Sequence, residues 1–316
     1  MSVNAGSKAV LFPGQGAQKV GMAADFVASY PAARELFDRA AAVLGYDLPA
    51  LCLEGPAEEL TLTKHCQPAI FLTSAAIVTV LEQEGVLNRD QVTATAGLSL
   101  GEYTALWYAG AFSFEDGLRL VSQRGTFMQE ASDAPPSGMV SLIGADREQA
   151  DRVAAKAAEG EVLSVANLLS PGQIVLSGTK TAVERAVGVA KEEGIRRAIV
   201  LNVAGAFHSA LMQSAADKLR VELERTEIKT PRIPVAGNVT GAFMRDAAEI
   251  RRCLEAQVVK PVQWVDAMTT LLGAGVSSCV EPGPGKVLTG LLKKIDRDVV
   301  CTSFDAVTDL ENAAQA

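Results

Sequence analysis

Residues 93–101 read TATAGLSLG, and this stretch decides the fold class. Its small residues from 93 to 97 suit a buried strand, and residues 100–109 suit a helix. Its last five letters fit the pattern G-x-S-x-G with Ser99 at the centre. An ordinary glycine-flanked turn is the alternative. A strand before the motif and a helix after it favour a sharp elbow, which exposes the serine hydroxyl near the free N–H groups at the start of the helix. The stretch therefore predicts an α/β fold with a reactive serine.

Strands and helices alternate on the N-terminal side of this stretch. A buried strand is predicted at Lys8–Phe12, and it ends at a glycine-rich turn, residues 13–18. A helix is predicted at Pro31–Leu44, where proline suits the start and a glycine follows the end. A second helix is predicted at 68–84, beginning at its proline. Such alternation predicts a parallel sheet.

The pattern changes between residues 137 and 203. The predicted order is β-α-β-β-α-β, with strands at 139–143, 162–166, 174–176 and 198–203 and helices at 147–158 and 181–193. This order is the split βαβ, or ferredoxin-like, unit. Residues 134–138 resemble a hinge into it. We therefore predict that residues 137–203 form a subdomain inserted into an α/β domain of residues 1–136 and 204–316.

Composition limits the function classes. The chain has 316 residues, 48% hydrophobic and 21% charged, which excludes a disordered tail protein, a collagen and a disulfide-stapled mini-domain. The formal net charge of −8 disfavours general binding to nucleic acid or to an anionic membrane. Five cysteines without a CxxC pair predict reduced thiols in the cytoplasm. The charge-free run 65–81 is too short and too polar for a membrane span, so a buried helix is expected.

Only two histidines can serve as the base that a serine nucleophile needs. His65 lies in a polar turn before a helix, where a solvated or capping role is expected. His208 follows a predicted strand, where α/β proteins place functional groups, and we predict that it is the base; a core histidine is the alternative. Its orienting partner stays open at this point: Glu281, Asp296, Asp305 or a backbone carbonyl.

Ordered motifs extend from about residue 10 to residue 295. They are FPGQGAQ (12–18), GPAEEL (55–60), SLGEY (99–103), QRG (123–125), MQ (128–129), Asn167, SPGQ (170–173), FHS (207–209), PVQW (261–264) and GPGKVL (283–288). On these motifs the chain resembles the malonyl-CoA:acyl carrier protein transacylases of bacterial fatty acid synthesis and the related acyltransferase domains of polyketide synthases. The resemblance implies an α/β-hydrolase-like domain with a parallel sheet, carrying the ferredoxin-like subdomain.

The resemblance also implies the catalytic residues. Ser99 matches the acylated nucleophile, and His208 matches its base. Gln15 and Leu100 match the residues whose backbone N–H groups form the oxyanion hole. Gln257 matches the residue whose main-chain carbonyl orients the histidine, and its side chain is expected to have no essential task.

Substrate residues follow from the same resemblance. Arg124 matches an arginine that holds the malonyl carboxylate, since a guanidinium fits a carboxylate with two parallel hydrogen bonds. The alternative is a surface salt bridge to Glu130 or Asp116. Met128, and with it Gln129, is expected to line the same pocket, and Phe207 to narrow it against an α-methyl branch. One departure is Leu98, where the family usually has histidine, which leaves substrate preference and rate open.

The expected activity is malonyl transfer from malonyl-CoA to the phosphopantetheine thiol of an acyl carrier protein, through a malonyl-serine intermediate. No cofactor, no metal, no nucleic acid and no membrane are expected, and a monomer is the default state. The alternatives are a serine thioesterase or esterase, a trans-acting polyketide synthase acyltransferase and a non-catalytic acyl-binding protein. A basic patch is expected to dock the acidic carrier protein, and its candidates are Lys191, Arg196, Arg197, Lys286, Lys293 and Lys294.

Overall fold

Two β-sheets organise the computed structural model, which describes residues 7–133 and 135–315 of the chain. The larger sheet is parallel and consists of β1 (Lys8–Phe12), β2 (Val92–Gly97), β7 (Val235–Ala236), β8 (Ser278–Pro282) and β9 (Val300–Phe304), in the spatial order β7-β2-β1-β8-β9. The smaller sheet is antiparallel and consists of β3 (Ser137–Ile143), β4 (Leu163–Ser170), β5 (Gln173–Thr179) and β6 (Arg197–Val200), in the order β4-β5-β3-β6. The predicted mixed α/β fold with a parallel sheet is confirmed.

Helices connect and cover these sheets. In chain order they are α1 (Ala24–Ser29), α2 (Pro31–Leu44), α3 (Leu48–Glu54), α4 (Ala57–Thr61), α5 (Thr63–Gln83), α6 (Gly101–Tyr108), α7 (Phe114–Asp133), α8 (Arg147–Ala158), α9 (Lys180–Glu192), α10 (Gln213–Arg225), α11 (Ala247–Gln257), α12 (Trp264–Gly273), α13 (Val287–Ile295) and α14 (Val307–Gln315). Short 3₁₀ turns lie at Arg89–Gln91 and Ala210–Met212. The β-α-β-β-α-β order runs from β3 to β6.

Local sequence signals place several elements as predicted. The bounds of β1, α2 and α8 agree with the predicted ones. In α2 the first residue is Pro31, whose missing N–H costs nothing at a helix start, and Gly45 ends the helix at φ 73°. Asp146 and Gln149 form a capping box at the start of α8.

Several predicted boundaries are wrong, among them the end of β4, which lies at Ser170 and not at residue 166, and the end of β5, which lies at Thr179 and not at residue 176. Helix α5 begins at Thr63, so Pro68 lies inside it rather than at its start. The backbone N–H of Thr63 donates to the side chain of Gln129 on α7, and this tertiary contact supports the additional turn. The strand predicted to reach residue 203 ends at Val200. Of the predicted hinge at 134–138, residue 134 lies outside the described residues.

The interpretation that this region is too short and too polar for a membrane span is wrong, because helix α5 is longer than the charge-free run and has the length and hydropathy of a span; 83% of its most apolar window is nevertheless buried inside the fold. It is packed against α7 and α2 as a core helix. The expectation of a buried helix in this region is confirmed. All five cysteines are free thiols.

Backbone hydrogen bonds attach the smaller sheet to a loop of the domain that contains the larger sheet. Leu168 N donates to Val262 O over 2.9 Å, and Val262 N donates to Ala166 O over 2.8 Å. These bonds connect β4 to the segment between α11 and α12. The smaller sheet is therefore held beside the carboxyl ends of the parallel strands, which is where α/β proteins form their sites.

Candidate active site

The elbow between β2 and α6 places Ser99 at the carboxyl end of the parallel sheet. Its backbone is left-handed, with φ 53°, which costs a non-glycine residue about 1–3 kcal/mol. A Cβ atom at Gly97 would overlap the backbone of Gly101, and one at Gly101 would overlap the carbonyl of Phe12. Glycine is required at both positions because β1, β2 and α6 approach so closely here.

His208 lies directly beside the nucleophile. Its Nε2 is 2.9 Å from Ser99 Oγ, and its Nδ1 is 2.7 Å from the main-chain oxygen of Gln257. That oxygen belongs to the last residue of α11, where helical carbonyls have no partner within the helix. A carbonyl only accepts, so Nδ1 carries the proton and Nε2 is free to accept the proton of Ser99. Burial, and then the charge of Arg124, lowers the pKa of His208 to about 4, so the imidazole is neutral at pH 7.

The carboxylates considered as partners of His208 lie elsewhere. Glu281 accepts hydrogen bonds from the backbone at the start of α13. Asp296 accepts one from its own turn, and Asp305 pairs with Lys19. Of the four open candidates, the backbone carbonyl is the one in contact with the imidazole.

The other histidine has a local role. His65 lies in the first turn of α5, with Nδ1 3.0 Å from the main-chain oxygen of Glu59. This agrees with the expectation of a solvated or capping side chain.

Arg124 projects from α7 into the same site and is only 1% exposed. Its Nη1 donates to Gln67 Oε1 over 2.6 Å. Its Nη2 donates to Gln257 Oε1 over 2.8 Å and to Ser99 Oγ over 3.0 Å. In the described part of the chain no carboxylate lies within 4.0 Å of the guanidinium, so a buried cation faces the nucleophile without a direct counter-ion.

The surface reading of Arg124 is wrong. Glu130 pairs with Lys218, and Asp116 pairs with Arg119. The expectation that the Gln257 side chain is idle is also wrong. That side chain is completely buried and contacts Arg124, the main-chain oxygen of Ser99 and Glu102.

Three site residues were not identified from the sequence: Gln67, Glu102 and Asn238. Asn238 follows β7; its Oδ1 accepts from Ser99 N and its Nδ2 donates to Gly97 O, each over 2.7 Å. Glu102 accepts from Asn238 N and from the Gln257 amide, and burial raises its pKa to about 7. Only Glu102 had a signal, three residues after the nucleophile within the elbow motif. Asn238 lies 139 residues from Ser99 in sequence, and no spacing rule connects them.

A cavity of about 180 Å³ opens between the two sheets above Ser99. Met128, Phe207 and Leu98 line it with other apolar side chains, and Gln15 lies at its rim. Gln129 does not line it, because its side chain binds the start of α5. Binding sites for larger ligands occupy about 300–1,000 Å³, so this cavity suits a short acyl group.

Two backbone donors flank the nucleophile. Among the described residues, neither Gln15 N nor Leu100 N donates to a protein acceptor. The loop holding Gln15 packs on the elbow, since a Cβ at Gly14 would lie 2.5 Å from Leu98 O. Both N–H groups therefore have no protein acceptor among the described residues.

The geometry defines a class. The site combines a serine at an elbow, a neutral imidazole that can accept its proton and backbone N–H donors without a protein acceptor. This combination is typical of serine-dependent acyl transfer. The chain belongs to the acyl transferase domain family, whose model matches residues 10–300.

Named relatives are similar over almost their whole length. The malonyl CoA-acyl carrier protein transacylase of Salmonella typhimurium is 47% identical over 287 residues, covering 91% of this chain and 92% of that protein. The protein of the same name from Bacillus subtilis is 43% identical over 308 residues, covering 97% and 96%. A malonyl-transacylase solved in complex with a type II polyketide synthase acyl-carrier protein has 41% identity and a TM-score of 0.93, covering 98% of this chain and 99% of that one.

Proposed function

We propose that this chain is an acyl carrier protein S-malonyltransferase, which moves a malonyl group from malonyl-CoA to the phosphopantetheine thiol of an acyl carrier protein. The observation that carries the proposal is the buried guanidinium of Arg124, 3.0 Å from Ser99 Oγ. In a malonyl group the carboxylate carbon lies about 2.5 Å from the thioester carbon, by ordinary bond lengths and angles. An acyl group whose carboxylate lies that close to its thioester carbon can bind Arg124 and react with Ser99 at the same time.

In the first half-reaction, Ser99 Oγ attacks the thioester carbon while His208 Nε2 accepts its proton. The oxyanion accepts hydrogen bonds from Gln15 N and Leu100 N, and the main-chain oxygen of Gln257 holds the imidazole. The carbon–sulfur bond breaks, and the coenzyme A sulfur takes the proton from His208. A malonyl ester on Ser99 remains.

In the second half-reaction, the carrier's thiol attacks that ester and gives its proton to His208, which returns it to Ser99 Oγ. A thioester is thus exchanged for a thioester through an ester, so the transfer is reversible and needs no cofactor, metal or nucleotide. The small apolar cavity limits access of water to the ester.

Met128 and Phe207 would set the width of the acyl site. Both are buried, and both line the cavity beside Ser99. An α-methyl branch must fit against them, which costs about 1–3 kcal/mol. We infer a moderate preference for malonyl over methylmalonyl groups.

The proposed function is tested with a panel of acyl-CoA thioesters and intact-mass detection. We expect one malonyl group on Ser99 from malonyl-CoA, its transfer to a holo-acyl carrier protein on mixing, and much weaker labelling from acetyl-CoA. Rapid steady release of free malonate without carrier protein would instead indicate a thioesterase. Absence of any adduct would indicate an acyl-binding protein.

The pH dependence follows from His208. Because its pKa is lowered to about 4, the base stays neutral down to about pH 5, and protonation removes it only below that. We expect kcat/KM for acetyl-CoA, which has no carboxylate for Arg124 to bind, to be level from pH 8 to about pH 5.5 and to fall at lower pH, since this parameter reports the free enzyme. With malonyl-CoA the acid limb of kcat lies at higher pH, because the bound carboxylate offsets the charge of Arg124. A kcat/KM midpoint near pH 6.5, with the fold intact by circular dichroism, would contradict this assignment.

A basic surface beside the cavity supports docking of an acidic carrier protein. Arg197 pairs with Ile143, and Ile143 pairs with Gln173, so these residues form one row across the smaller sheet. Lys294 from α13 donates to Gln173, which brings the two groups of basic candidates together. This row is two residues along β5 from Val175, which lines the cavity, a separation of about 7 Å.

Reversing two charges of this surface tests the docking. We expect Arg196→Glu with Arg197→Glu to raise KM for the carrier protein about tenfold, or ~1.4 kcal/mol, with little change for malonyl-CoA. Arg232→Glu is the control: this exposed arginine lies between α10 and β7, away from the smaller sheet, and its backbone N–H donates to Ala109 O just after α6. Equal effects on both substrates would remove these arginines from the docking surface.

We also infer the finer architecture. Residues 137–203 are assigned to an inserted ferredoxin-like subdomain, which the strand order β4-β5-β3-β6 supports. Residues 1–136 and 204–316 are assigned to an α/β-hydrolase-like domain, which the elbow between β2 and α6 supports. A cytoplasmic monomer remains our proposal for the location and the state of the protein.

A further inference from the structure

The proposed mechanism leaves a buried carboxyl group of the site unused. Glu102 lies on α6, one turn after Ser99, and is completely buried. Its Oε1 accepts from Asn238 N over 2.7 Å, and its Oε2 accepts from Gln257 Nε2. The carboxylate of Glu102 makes no hydrogen bond to Ser99 or to Arg124, and its two partners, Asn238 and Gln257, both contact Ser99.

The contacts of the Gln257 side chain determine which way its amide faces. Arg124 can only donate hydrogen bonds, and an ionised carboxylate can only accept them. The amide lies between the two, so its oxygen must face Arg124 and its nitrogen must face Glu102. The opposite orientation would set donor against donor and acceptor against acceptor. Glu102, together with the main-chain oxygen of Ser99, which accepts from the same nitrogen, therefore determines that Arg124 meets the amide oxygen.

This arrangement stabilises the charge of Arg124 without occupying its hydrogen-bond donors. A carboxylate in direct contact with Arg124 would neutralise it and occupy the hydrogen bonds that a substrate carboxylate needs. With the Gln257 amide in between, the negative charge that Glu102 carries above its pKa of about 7 stabilises the buried cation without pairing with it directly. Burial raises the pKa of Glu102, and the charge of Arg124 partly lowers it again, while Glu102 in turn raises the pKa of Arg124, so each group stabilises the charged form of the other.

We propose that Glu102 is a positioning residue for substrate selection: its carboxylate fixes the Gln257 amide so that Arg124 stays charged, held in place and open to an acid-tipped acyl group. The proposal rests on the proposed function. It assigns to Glu102 a role in the choice of substrate, carried through Gln257, beyond support of the first turn of α6.

Glu102→Gln tests the orientation argument. The new amide oxygen can still accept from Asn238 N, but its nitrogen faces the Gln257 nitrogen, so Gln257 loses its acceptor at position 102 and its amide is no longer held firmly against Arg124. We expect kcat/KM for malonyl-CoA to fall about 100-fold, mostly through KM, as for loss of a charged hydrogen-bond partner. Acylation by acetyl-CoA, which does not use Arg124, should change less than about fivefold by the same argument. Equal losses for both thioesters, or no loss, would overturn the proposal.

Glu281→Gln is the matched control. Glu281 is also completely buried and accepts backbone hydrogen bonds, from Leu288 and Thr289, but it does not touch the site. Its substitution measures how much stability the fold loses when a buried carboxylate becomes an amide. We expect a lowered Tm and a malonyl-to-acetyl ratio equal to that of the unaltered enzyme. A change of that ratio equal to the one in Glu102→Gln would contradict a specific role for Glu102.

A double variant keeps the test decisive if Glu102→Gln does not fold. Glu102→Gln with Gln257→Glu exchanges the amide and the carboxylate, so the donors and acceptors between these two positions match again. We expect Tm to recover while malonyl transfer stays low, because the carboxylate at 257 now pairs with Arg124. Recovery of malonyl selectivity would show that the pairing alone matters and would overturn the proposal. An unaltered enzyme that forms no malonyl adduct would instead contradict the proposed function itself.

Discussion

Ser99→Ala is expected to remove the malonyl adduct completely and to lower kcat for transfer at least about 10⁴-fold. The attacking oxygen is lost, while His208, Arg124 and the backbone donors keep their positions. Alanine and serine accept the left-handed backbone at this site at similar cost, so the elbow should persist. The measurement is intact mass after mixing with malonyl-CoA, together with the rate of malonyl-carrier formation.

Measuring malonyl-CoA binding distinguishes loss of the nucleophile from disruption of the binding site. The variant should still bind malonyl-CoA, because Arg124 keeps Gln67 and Gln257 as partners. Ser177→Ala, a buried serine of β5 in the smaller sheet, is the control and should transfer normally. An adduct of full stoichiometry on Ser99→Ala would place the nucleophile elsewhere and reject the proposed mechanism.

Arg124→Ala is expected to lower kcat/KM for malonyl-CoA about 10³-fold, which corresponds to ~4 kcal/mol. A charged pair with two parallel hydrogen bonds is lost from a site that excludes water, and nothing else in it carries a positive charge to replace it. Acetyl-CoA has no carboxylate, so its transfer should be retained or improved relative to malonyl transfer. The measurement is kcat/KM for both thioesters with the same carrier protein.

The same variant has a second, independent readout. Arg124 is one of the causes of the lowered pKa of His208, so its removal raises that pKa toward the ordinary value of 6.5. With acetyl-CoA as substrate, the acid limb of kcat/KM should therefore move to higher pH. Arg124→Lys keeps a charge but not the planar donor pair, and we expect partial malonyl activity. Unchanged malonyl kinetics in Arg124→Ala would contradict the assignment of this residue.

The fold was predictable where local signals decide it. Pro31 and Gly45 mark the ends of α2 in the sequence itself, and the glycines at 97 and 101 mark the elbow. Helix α5 shows where such signals fail. Pro68 indicates a helix start, yet the helix begins five residues earlier because the side chain of Gln129, from another helix, caps it. No pattern within residues 60–70 contains that partner.

The site was predictable to the extent that its residues have distinctive chemistry. Ser99 was marked by its motif, and His208 by the scarcity of histidine. Side-chain amides organise the site, namely those of Gln67, Asn238 and Gln257, but no sequence feature distinguished them. Glutamine and asparagine are common surface residues, and their roles here come from burial and from partners 57 to 158 residues away in sequence.

The nucleophile and its base share an unusual backbone, with φ 53° at Ser99 and 58° at His208. An unfolded chain rarely populates either of these left-handed conformations, and it populates both at once more rarely still. Reactivity is therefore a property of the finished molecule. A nascent or damaged copy has the same hydroxyl and the same imidazole, yet it does not consume the cell's activated acyl groups.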